Sequence, residues 1–473
     1  MDFLYKNKNM NRLILILIPV AILFSSCGSG SSNGNQAVSD TKDNMIKFMT
    51  VDPGHFHAAL VQKKMYDQIS PEVSVYAPEG PDVRQHIDRI NSYNTRPADP
   101  TKWNEIVYTG GDFFEKMLAD KPGNVVVLSG NNRKMAEYIS KSVCAGLNVL
   151  ADKPMIISPD DFPDLVESFR IASERGILLY DIMTERYEIS TILQKELSGK
   201  GEIFGNLLKG SEKDPAVTKV SVHHFSKIVS GSSLIRPAWF FDVNQQGEGI
   251  VDVTTHLVDL VQWECCPEQL LDTSDIEMVS ARRWPTLLSK DEFRGVTGLN
   301  DYPDYLNKNT EGGKLIVYSN GEMNYKIRDI YAKVSVEWKY QAPPGGGDTH
   351  YSVMRGTICD LIIRQGPEEK FLPTLYIENV KGISFNDFSL KLKAALATLP
   401  YDSLSVEEVS KNSLKIIIPD KYRVTHEDHF GQVTAKFLEY LTEGKLPEWE
   451  VSNMITKYYT TTSALKLSRQ NKQ

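Results

Sequence analysis

Cysteine is scarce in this sequence, and the few cysteines form no recognisable framework. There are 5 in 473 residues, and the spacings of Cys144, Cys265, Cys266 and Cys359 match no zinc site. Stability must therefore come from a hydrophobic core rather than from disulfide bridges. Cys265 and Cys266 are adjacent, so they form either two buried thiols or a vicinal disulfide in an oxidising compartment.

A basic surface is also missing. The formal net charge is −8, and the lysines and arginines form no stripe along the chain. Nucleic acid is therefore excluded as a partner. The apolar run over residues 13–24 is too short to span a bilayer but has the length of a signal-peptide core.

The start of the chain has the pattern of an export signal. Lys6, Lys8 and Arg12 precede the apolar run, as in a signal peptide. Ser25-Ser26-Cys27 follows it and resembles the lipobox of bacterial lipoproteins, in which the cysteine is acylated. The resemblance predicts an exported protein that is lipid-anchored to a bacterial membrane, on the periplasmic side. A cleaved signal without lipid is the alternative.

The chain divides into four segments. We expect a lipoprotein signal peptide over residues 1–26 and a flexible Gly/Ser/Asn tether over 27–44. Alternating strands and helices over 45–184 predict an α/β domain with a doubly wound parallel sheet, a Rossmann domain. The β-rich remainder, 185–473, predicts an α+β domain with an open, mainly antiparallel sheet.

The first strand of the Rossmann domain ends in an unusual turn, Asp52-Pro53-Gly54-His55-Phe56-His57. A dinucleotide-binding turn has the pattern G-x-G-x-x-G. Only the middle glycine is present, as Gly54, and an aspartate beside a pyrophosphate is repulsive. Either a cofactor sits differently here or none is bound. His55 and His57 flank this position, with packing, substrate contact and catalysis all open.

A second turn, Ala151-Asp152-Lys153-Pro154, follows the apolar strand over residues 147–150. Ligands of open α/β sheets bind at this carboxyl edge. Pro154 imposes an extended backbone on Lys153 and so fixes the direction of its side chain. An ammonium aimed into a crevice can polarise a substrate oxygen. The alternative is a solvated loop lysine.

A third motif, from Gly247 to Asp259, is predicted to be helical after its glycines. Asp252 and His256 are then one turn apart and share a helix face. A carboxylate in this place can hold the tautomer of the histidine while the ring accepts a hydroxyl proton. The alternative is a capping aspartate and a core histidine.

Taken together, these motifs resemble those of the Gfo/Idh/MocA oxidoreductases, E-K-P and G-G-G-x-x-x-D-x-G-x-H-x-x-D. Arg186-Tyr187 after the last Rossmann strand and Arg236-Pro237-Ala238-Trp239 before the glycines extend the resemblance over most of the chain. Residues 363–369 resemble the C-terminal domain of an exported, anchored branch of the family.

The resemblance implies NAD or NADP, tightly held, and a role for each matching residue. It implies catalysis by Lys153, Asp252 and His256. It implies cofactor contacts from Gly54, His55, Glu79, Ser129, Asn131, Asp152 and Trp239. It implies substrate contacts from Arg186, Tyr187 and Asp259. It also implies homo-oligomers and a small sugar or polyol as substrate.

Three functions remain open from the sequence. The first is an exported NAD(P)-dependent dehydrogenase that acts on a sugar or polyol hydroxyl. The second is a redox-assisted glycoside hydrolase or lyase, in which transient oxidation acidifies a neighbouring carbon and the cofactor ends as it began. The third is a non-catalytic carbohydrate-binding lipoprotein that has lost the cofactor.

Other polar clusters are weaker candidates. His223 and His224 are adjacent in a predicted strand, so they point to opposite faces. His426 and His429 lie three apart on a predicted helix, but the pattern is not H-E-x-x-H, and we predict no metal site. The glycines at 345–347 form either a plain surface loop or one that closes over substrate.

Overall fold

The computed structural model describes residues 45–229 and 232–470, which form one compact unit. The predicted signal peptide, the predicted lipidation site Cys27 and the predicted tether lie outside the described residues. Within the described part, no helix is both long enough and apolar enough to cross a membrane.

The first half of the chain forms a six-stranded parallel sheet with the order β3-β2-β1-β4-β5-β6. Its strands are β1 (Phe48–Val51), β2 (Glu72–Ala77), β3 (Asn104–Thr109), β4 (Val125–Leu128), β5 (Asn148–Asp152) and β6 (Leu179–Ile182). Its helices are α1 (His57–Leu60), α2 (Pro81–Thr95), α3 (Phe113–Asp120), α4 (Met135–Cys144) and α5 (Phe162–Arg175). The predicted doubly wound Rossmann sheet is confirmed, because the strand order reverses beside β1.

One predicted helix is much shorter than the sequence indicates. We expect it to run from the first turn to about Ile69, but α1 ends at Leu60. The carbonyl of Gln62 would accept a bond in a longer helix. It accepts one instead from the indole Nε1 of Trp103, at 2.6 Å. A tertiary hydrogen bond therefore occupies the carbonyl that would accept a hydrogen bond in a longer α1.

The second half forms one large mixed sheet with the order β10-β12-β13-β7-β14-β15-β16-β18-β17, in which β11 pairs with β12. Its strands begin with β7 (Val217–Ser226), β10 (Ile276–Leu288), β11 (Thr310–Glu311), β12 (Lys314–Ile327) and β13 (Ile330–Gln341). They continue with β14 (Thr349–Arg355), β15 (Asp360–Arg364), β16 (Thr374–Glu378), β17 (Ser405–Ser410) and β18 (Ser413–Ile417). A separate hairpin joins β8 (Ile228–Val229) to β9 (Ser232–Ser233).

Within this sheet only β7 and β13 pair in parallel among the described strands, so the predicted mainly antiparallel sheet is confirmed. The helices of this half are α6 (Ile189–Ser198), α7 (Val243–Gln246), α8 (Thr254–Cys265), α9 (Lys290–Thr297), α10 (Phe385–Leu396), α11 (His426–Glu443) and α12 (Glu448–Gln470).

The last two helices join the two halves. Phe437 of α11 stacks on Tyr180 of β6, with ring centroids 6.0 Å apart. Helix α12 contributes Tyr458 to the core of the first half and Leu465 to the core of the second. The N-terminal core is therefore completed by residues from the far end of the chain.

A fully buried network of charges lies where the two halves meet. Lys457 of α12 contacts Asp181 of β6 at 2.7 Å and Asp259 of α8 at 2.9 Å. Arg186 donates two hydrogen bonds to the same Asp259, at 2.6 and 2.7 Å, and one to Glu450 at 2.7 Å. Burial opposes ionisation of Asp259, but the two cations outweigh it and hold its pKa below the usual range.

This network predicts a large loss of stability when Lys457 is replaced by methionine. The change leaves Asp181 and Asp259 buried with one cation fewer, which costs about 3 kcal/mol in the free energy of unfolding. Urea unfolding followed by circular dichroism measures it. Lys466→Met on the exposed side of the same helix is the control and should change stability by less than about 0.5 kcal/mol. Equal effects of the two changes would contradict the assignment.

Candidate active site

A cavity of about 500 Å³ lies at the carboxyl edge of the N-terminal sheet. The turn after β1, Lys153 after β5 and Glu185 after β6 form one wall, and residues of β7, β13 and α11 form the other. Most of the nine histidines of the chain line it. Those histidines are His55, His57, His223, His256, His350, His426 and His429.

The structure brings Lys153 and Asp252 together in this cavity. The Nζ atom of Lys153 lies 2.5 Å from Oδ1 of Asp252, and the two side chains are 10% and 6% exposed. Gln246 donates a second hydrogen bond to Asp252, at 3.2 Å. The ammonium is thus held by a carboxylate from the other half of the molecule, and the solvated-lysine alternative is excluded.

The expected pairing of Asp252 with His256 is wrong. Helix α8 begins at Thr254, so Asp252 lies in the turn before it rather than one turn away on its face. Gly249 presses against β12 so closely that a Cβ there would lie 1.7 Å from the carbonyl oxygen of Ser319. This contact fixes the turn, and the carboxylate of Asp252 points to Lys153 instead.

His256 lines the same cavity with one ring nitrogen unengaged. Its Nδ1 is buried and has no hydrogen-bond partner anywhere in the described chain. Burial, and then the charge of Lys153, lower the pKa of His256 well below its usual value. The ring is therefore neutral. Because Nδ1 is enclosed, the nitrogen that can face a ligand is Nε2, which makes no hydrogen bond to a described residue and is not among the enclosed atoms.

The turn after β1 is closed upon itself. The amide of Gly54 donates to the carbonyl of Asp52 at 2.8 Å, and the amide of His55 donates to that of Ser129 at 3.3 Å. Asp52 adopts a φ of 47°, and Tyr138 donates to its carboxylate at 3.0 Å. Burial raises the pKa of Asp52, and the hydrogen bond from Tyr138 opposes that shift.

Trp239 lies directly over Gly54. A Cβ on Gly54 would lie 3.0 Å from Cζ2 of the indole, and the indole Nε1 donates to Asp82 at 2.8 Å. Glu79, the residue predicted to bind a ribose, is exposed, whereas Asp82 in the first turn of α2 faces this crevice. Asp82, rather than Glu79, is therefore the carboxylate that lies beside Gly54 and Trp239.

Asp152 is engaged by the surrounding side chains. Its Oδ2 accepts hydrogen bonds from Ser129 Oγ and His57 Nδ1, each at 2.9 Å, and its Oδ1 accepts one from the amide of Lys153. His55, His57 and Asp152 place three ligand-type atoms within 4.8 Å of one another. These contacts fix the base of Lys153 and the histidine turn against each other.

Asn131 fastens the C-terminal half to the N-terminal sheet. Its amide donates to Gln245 of α7 at 2.7 Å, and the neighbouring Asn132 donates to the carbonyl of Gln246 at 2.8 Å. Gln246 in turn contacts Asp252. The predicted cofactor contact Asn131 thus helps to hold the segment that carries Trp239.

The three residues predicted to contact substrate do not line the cavity. Arg186 and Asp259 are consumed by the buried charge network. Tyr187 packs against the N-terminal core. The carboxylate of Asp259 needs two cations to offset its burial, so it has no capacity to bind a ligand.

Four acidic residues that line the cavity were not predicted as site residues from the sequence: Glu185, Glu188, Asp348 and Glu427. Asp348, at the end of the glycine loop, contacts His223 at 3.0 Å and also pairs with Lys227. Glu185 lies 3.6 Å from Nδ1 of His426. Burial, followed by repulsion from Glu188 and Asp348, raises the pKa of Glu185 to about 7. The three glycines before Asp348 indicated a loop near the site and could have pointed to this residue. No sequence pattern pointed to Glu185.

A dinucleotide fits one end of this site directly and the other after one movement. Lys153, Asp252 and His256 surround open volume, as a nicotinamide and its substrate require. At the phosphate end, Gly54 offers a backbone without a Cβ, and Asp82 offers an acceptor for ribose hydroxyls. The indole of Trp239 must first leave Gly54. The residues fit the group on that condition.

Comparison with known proteins identifies relatives over most of the chain. A family described as "Putative oxidoreductase C terminal domain" matches residues 193–469. The crystal structure of a "putative oxidoreductase" from Parabacteroides merdae is 54% identical, covers 91% of this chain and 98% of that one, and has a TM-score of 0.88. None of the curated proteins matches this chain.

Two more distant structures share the fold. A levoglucosan dehydrogenase in complex with NADH and levoglucosan is 11% identical, with 90% of this chain and 98% of that one covered and a TM-score of 0.57. A 3-ketoreductase from Actinomadura kijaniata in complex with NADP and TDP-benzene is 13% identical, with the same coverage and a TM-score of 0.53. At these identities the likeness shows the fold alone.

The stability of Glu185→Gln relative to that of the parent chain should increase as the pH rises from 4.5 to about 7. A Glu185 pKa raised from 4.5 to about 7 means that the folded state binds the proton more tightly. The contribution of the Glu185 carboxyl to the stability of the parent chain is complete below pH 4.5 and is lost as the pH rises through 7. Urea unfolding at several pH values measures the difference between variant and parent.

That difference should grow between pH 4.5 and 7 and stay flat for Glu212→Gln, a change at an exposed glutamate outside the cavity. A pH-independent difference for Glu185→Gln would show that the carboxyl is ionised in the cavity like any surface glutamate.

Proposed function

The chain belongs to the Gfo/Idh/MocA-type oxidoreductases that carry this C-terminal domain, and on that premise we propose that it oxidises a hydroxyl group of a sugar or polyol with NAD or NADP. The observation that carries the proposal is the buried pair of Lys153 and Asp252 beside the unengaged ring of His256. The names of two relatives of the same fold, a levoglucosan dehydrogenase and a 3-ketoreductase, support it.

Each of the three residues has a distinct task in this proposal. Lys153 donates a hydrogen bond to the substrate oxygen and stabilises negative charge there. Asp252 holds the ammonium in one direction, since the ion pair is shielded from water. His256, neutral because it is buried, accepts the hydroxyl proton on a ring nitrogen. A bound nicotinamide supplies the hydride acceptor.

The cofactor-binding residues in the proposal are those that surround the closed turn. Gly54 allows the close approach of phosphate, Asp82 accepts from ribose hydroxyls, and Trp239 covers the bound group after leaving its present place. Ser129 and Asn131 shape the floor of the crevice through their bonds to Asp152 and Gln245.

The proposal extends to the place of action. The N-terminal sequence supports export and a lipid anchor at Cys27, which would keep the protein outside the cytoplasm. Soluble nicotinamide cofactors are scarce there, so a tightly held cofactor suits this location. Homo-oligomers and a small-molecule substrate remain part of the same proposal.

Glu185 favours a second candidate function, redox-assisted cleavage of a glycoside. Its carboxyl lies in the cavity with a pKa of about 7, which suits removal of a proton from the carbon beside an oxidised centre. Such an enzyme would break a glycosidic bond without net production of NADH. The third candidate, a carbohydrate-binding lipoprotein, is favoured by the indole that covers Gly54.

Turnover tests the proposed roles. Reduction of NAD or NADP is followed over a panel of sugars and polyols, and released aglycone is followed in parallel. Lys153→Met and His256→Gln should each lower kcat/KM about 10² to 10⁴-fold, because each removes a group that acts on the reacting oxygen. Lys141→Met, at an exposed lysine outside the cavity, should leave it unchanged. Full turnover by folded Lys153→Met protein would refute the assigned role.

Cofactor binding should displace Trp239. Loss of its hydrogen bond to Asp82 would change the tryptophan fluorescence when NAD is added to protein that has been freed of its cofactor. Trp239→Phe should abolish that change and tighten binding up to about 10-fold, because no bond to a carboxylate has to be broken. Trp449→Phe, at a tryptophan outside the cavity, should keep the change. An unaltered signal in the cofactor-free parent chain at saturating NAD would exclude the movement.

A further inference from the structure

Arg236 is a buried guanidinium that forms no ion pair with any carboxylate in the part of the chain that the structure describes. Its side chain is enclosed, with the residue 5% exposed. Its Nε donates to the carbonyl of Phe225 at 2.9 Å, and its Nη2 donates to that of His224 at 3.0 Å. In the described residues no carboxylate oxygen lies within 4.0 Å of it. Arginine is seldom buried in this way without a counter-charge.

One edge of this guanidinium faces the cavity. Arg236 is part of the cavity wall. Its Nη1 makes no hydrogen bond to any described residue. It is also not one of the enclosed atoms that lack a partner, so it is accessible. The rings of Phe240 and Trp338 lie 4.4 and 5.2 Å from Cζ. Aromatic carbon and two carbonyls therefore occupy its other sides and leave the Nη1 edge open to a ligand.

Two neighbouring cations in the cavity are paired with carboxylates: Lys153 with Asp252, and Lys227 with Asp348. The third, Arg423, is only half-buried and donates to the carbonyl of Pro373 at 2.9 Å. Burial lowers the pKa of Arg236 to about 10, so the group remains protonated at neutral pH. A buried charge without a partner costs free energy, and a bound anion would recover it.

We propose that Arg236 binds a carboxylate of the substrate, so that the substrate is a sugar acid. A guanidinium edge matches a carboxylate in shape and in hydrogen bonding, and one negative charge would balance this buried cation. Arg236 is close enough to Asp348 and Asp252 for their charges to act on its own. The carboxylate would thus lie on the same side of the cavity as the reacting hydroxyl.

This inference rests on the proposed function, because it names a substrate for the same cavity. A phosphate of a dinucleotide offers the same chemistry as a carboxylate and is the other possible source of the anion. The experiments below therefore measure binding of sugar acids without added cofactor, and they include a dinucleotide fragment as a separate arm.

Calorimetric titration of the purified chain compares each acid with its neutral amide. The probes are D-glucuronate, D-galacturonate and D-gluconate, with D-glucuronamide, D-galacturonamide and D-gluconamide as matched controls. At least one acid should bind about 10-fold or more tightly than its amide, because only the acid makes charge-assisted bonds. The proposal is overturned when all three acids bind no better than their amides.

Substitution of Arg236 then locates the anion. Arg236→Met should weaken binding of the acid about 10 to 100-fold and leave the amide unchanged. Arg282→Met, at an exposed arginine outside the cavity, should change neither. If Arg236→Met does not fold, Arg236→Lys is used instead. Lysine keeps the positive charge but lacks the planar pair of N–H donors, so binding of the acid should weaken about 10-fold.

ADP-ribose provides the arm for the cofactor phosphate. If Arg236→Met weakens ADP-ribose and leaves the acids unaffected, Arg236 serves a dinucleotide and the proposal is wrong. Failure of the proposed function looks different, since the acids would still bind through Arg236 in a chain that carries out no oxidation.

Discussion

The active site depends on a buried network of charges that ties the two halves of the molecule together. Lys457, near the end of the chain, lies between Asp181 of the parallel sheet and Asp259 of α8. Because these groups are shielded from water, any displacement would leave a charge unpaired at a high cost. The network therefore fixes α8, and with it Asp252 and His256, opposite Lys153.

The cavity keeps groups of different charge within reach of one substrate. Lys153 and Asp252 form an ion pair, His256 is neutral because of its burial, and Glu185 has a pKa of about 7. Proton transfer needs such a set, since a donor and an acceptor must coexist at one pH. The turn after β1 is different, because its amides are bonded within the protein and the indole of Trp239 covers it.

The fold could be predicted from the sequence more accurately than the contacts between individual side chains. Buried parallel strands such as Val125–Leu128 are continuous apolar runs and were recognisable, whereas β3 is a largely exposed edge strand without alternation and was missed. Motif spacing brought Lys153 and Asp252 into one site. It could not show their direct contact, because the start of α8 is set by the approach of Gly249 to another strand. The partners of Arg186 could not be predicted either, because they lie far from it along the chain.

The central claim is that this cavity is a working nicotinamide site despite its altered first turn. The most direct measurement is to purify the chain without its predicted signal peptide, denature it, and search the released material by mass spectrometry for NAD(H) and NADP(H). The account predicts near-stoichiometric cofactor. No released cofactor, together with no binding when NAD or NADP is added back, would contradict it and leave a carbohydrate-binding protein with the fold of an oxidoreductase.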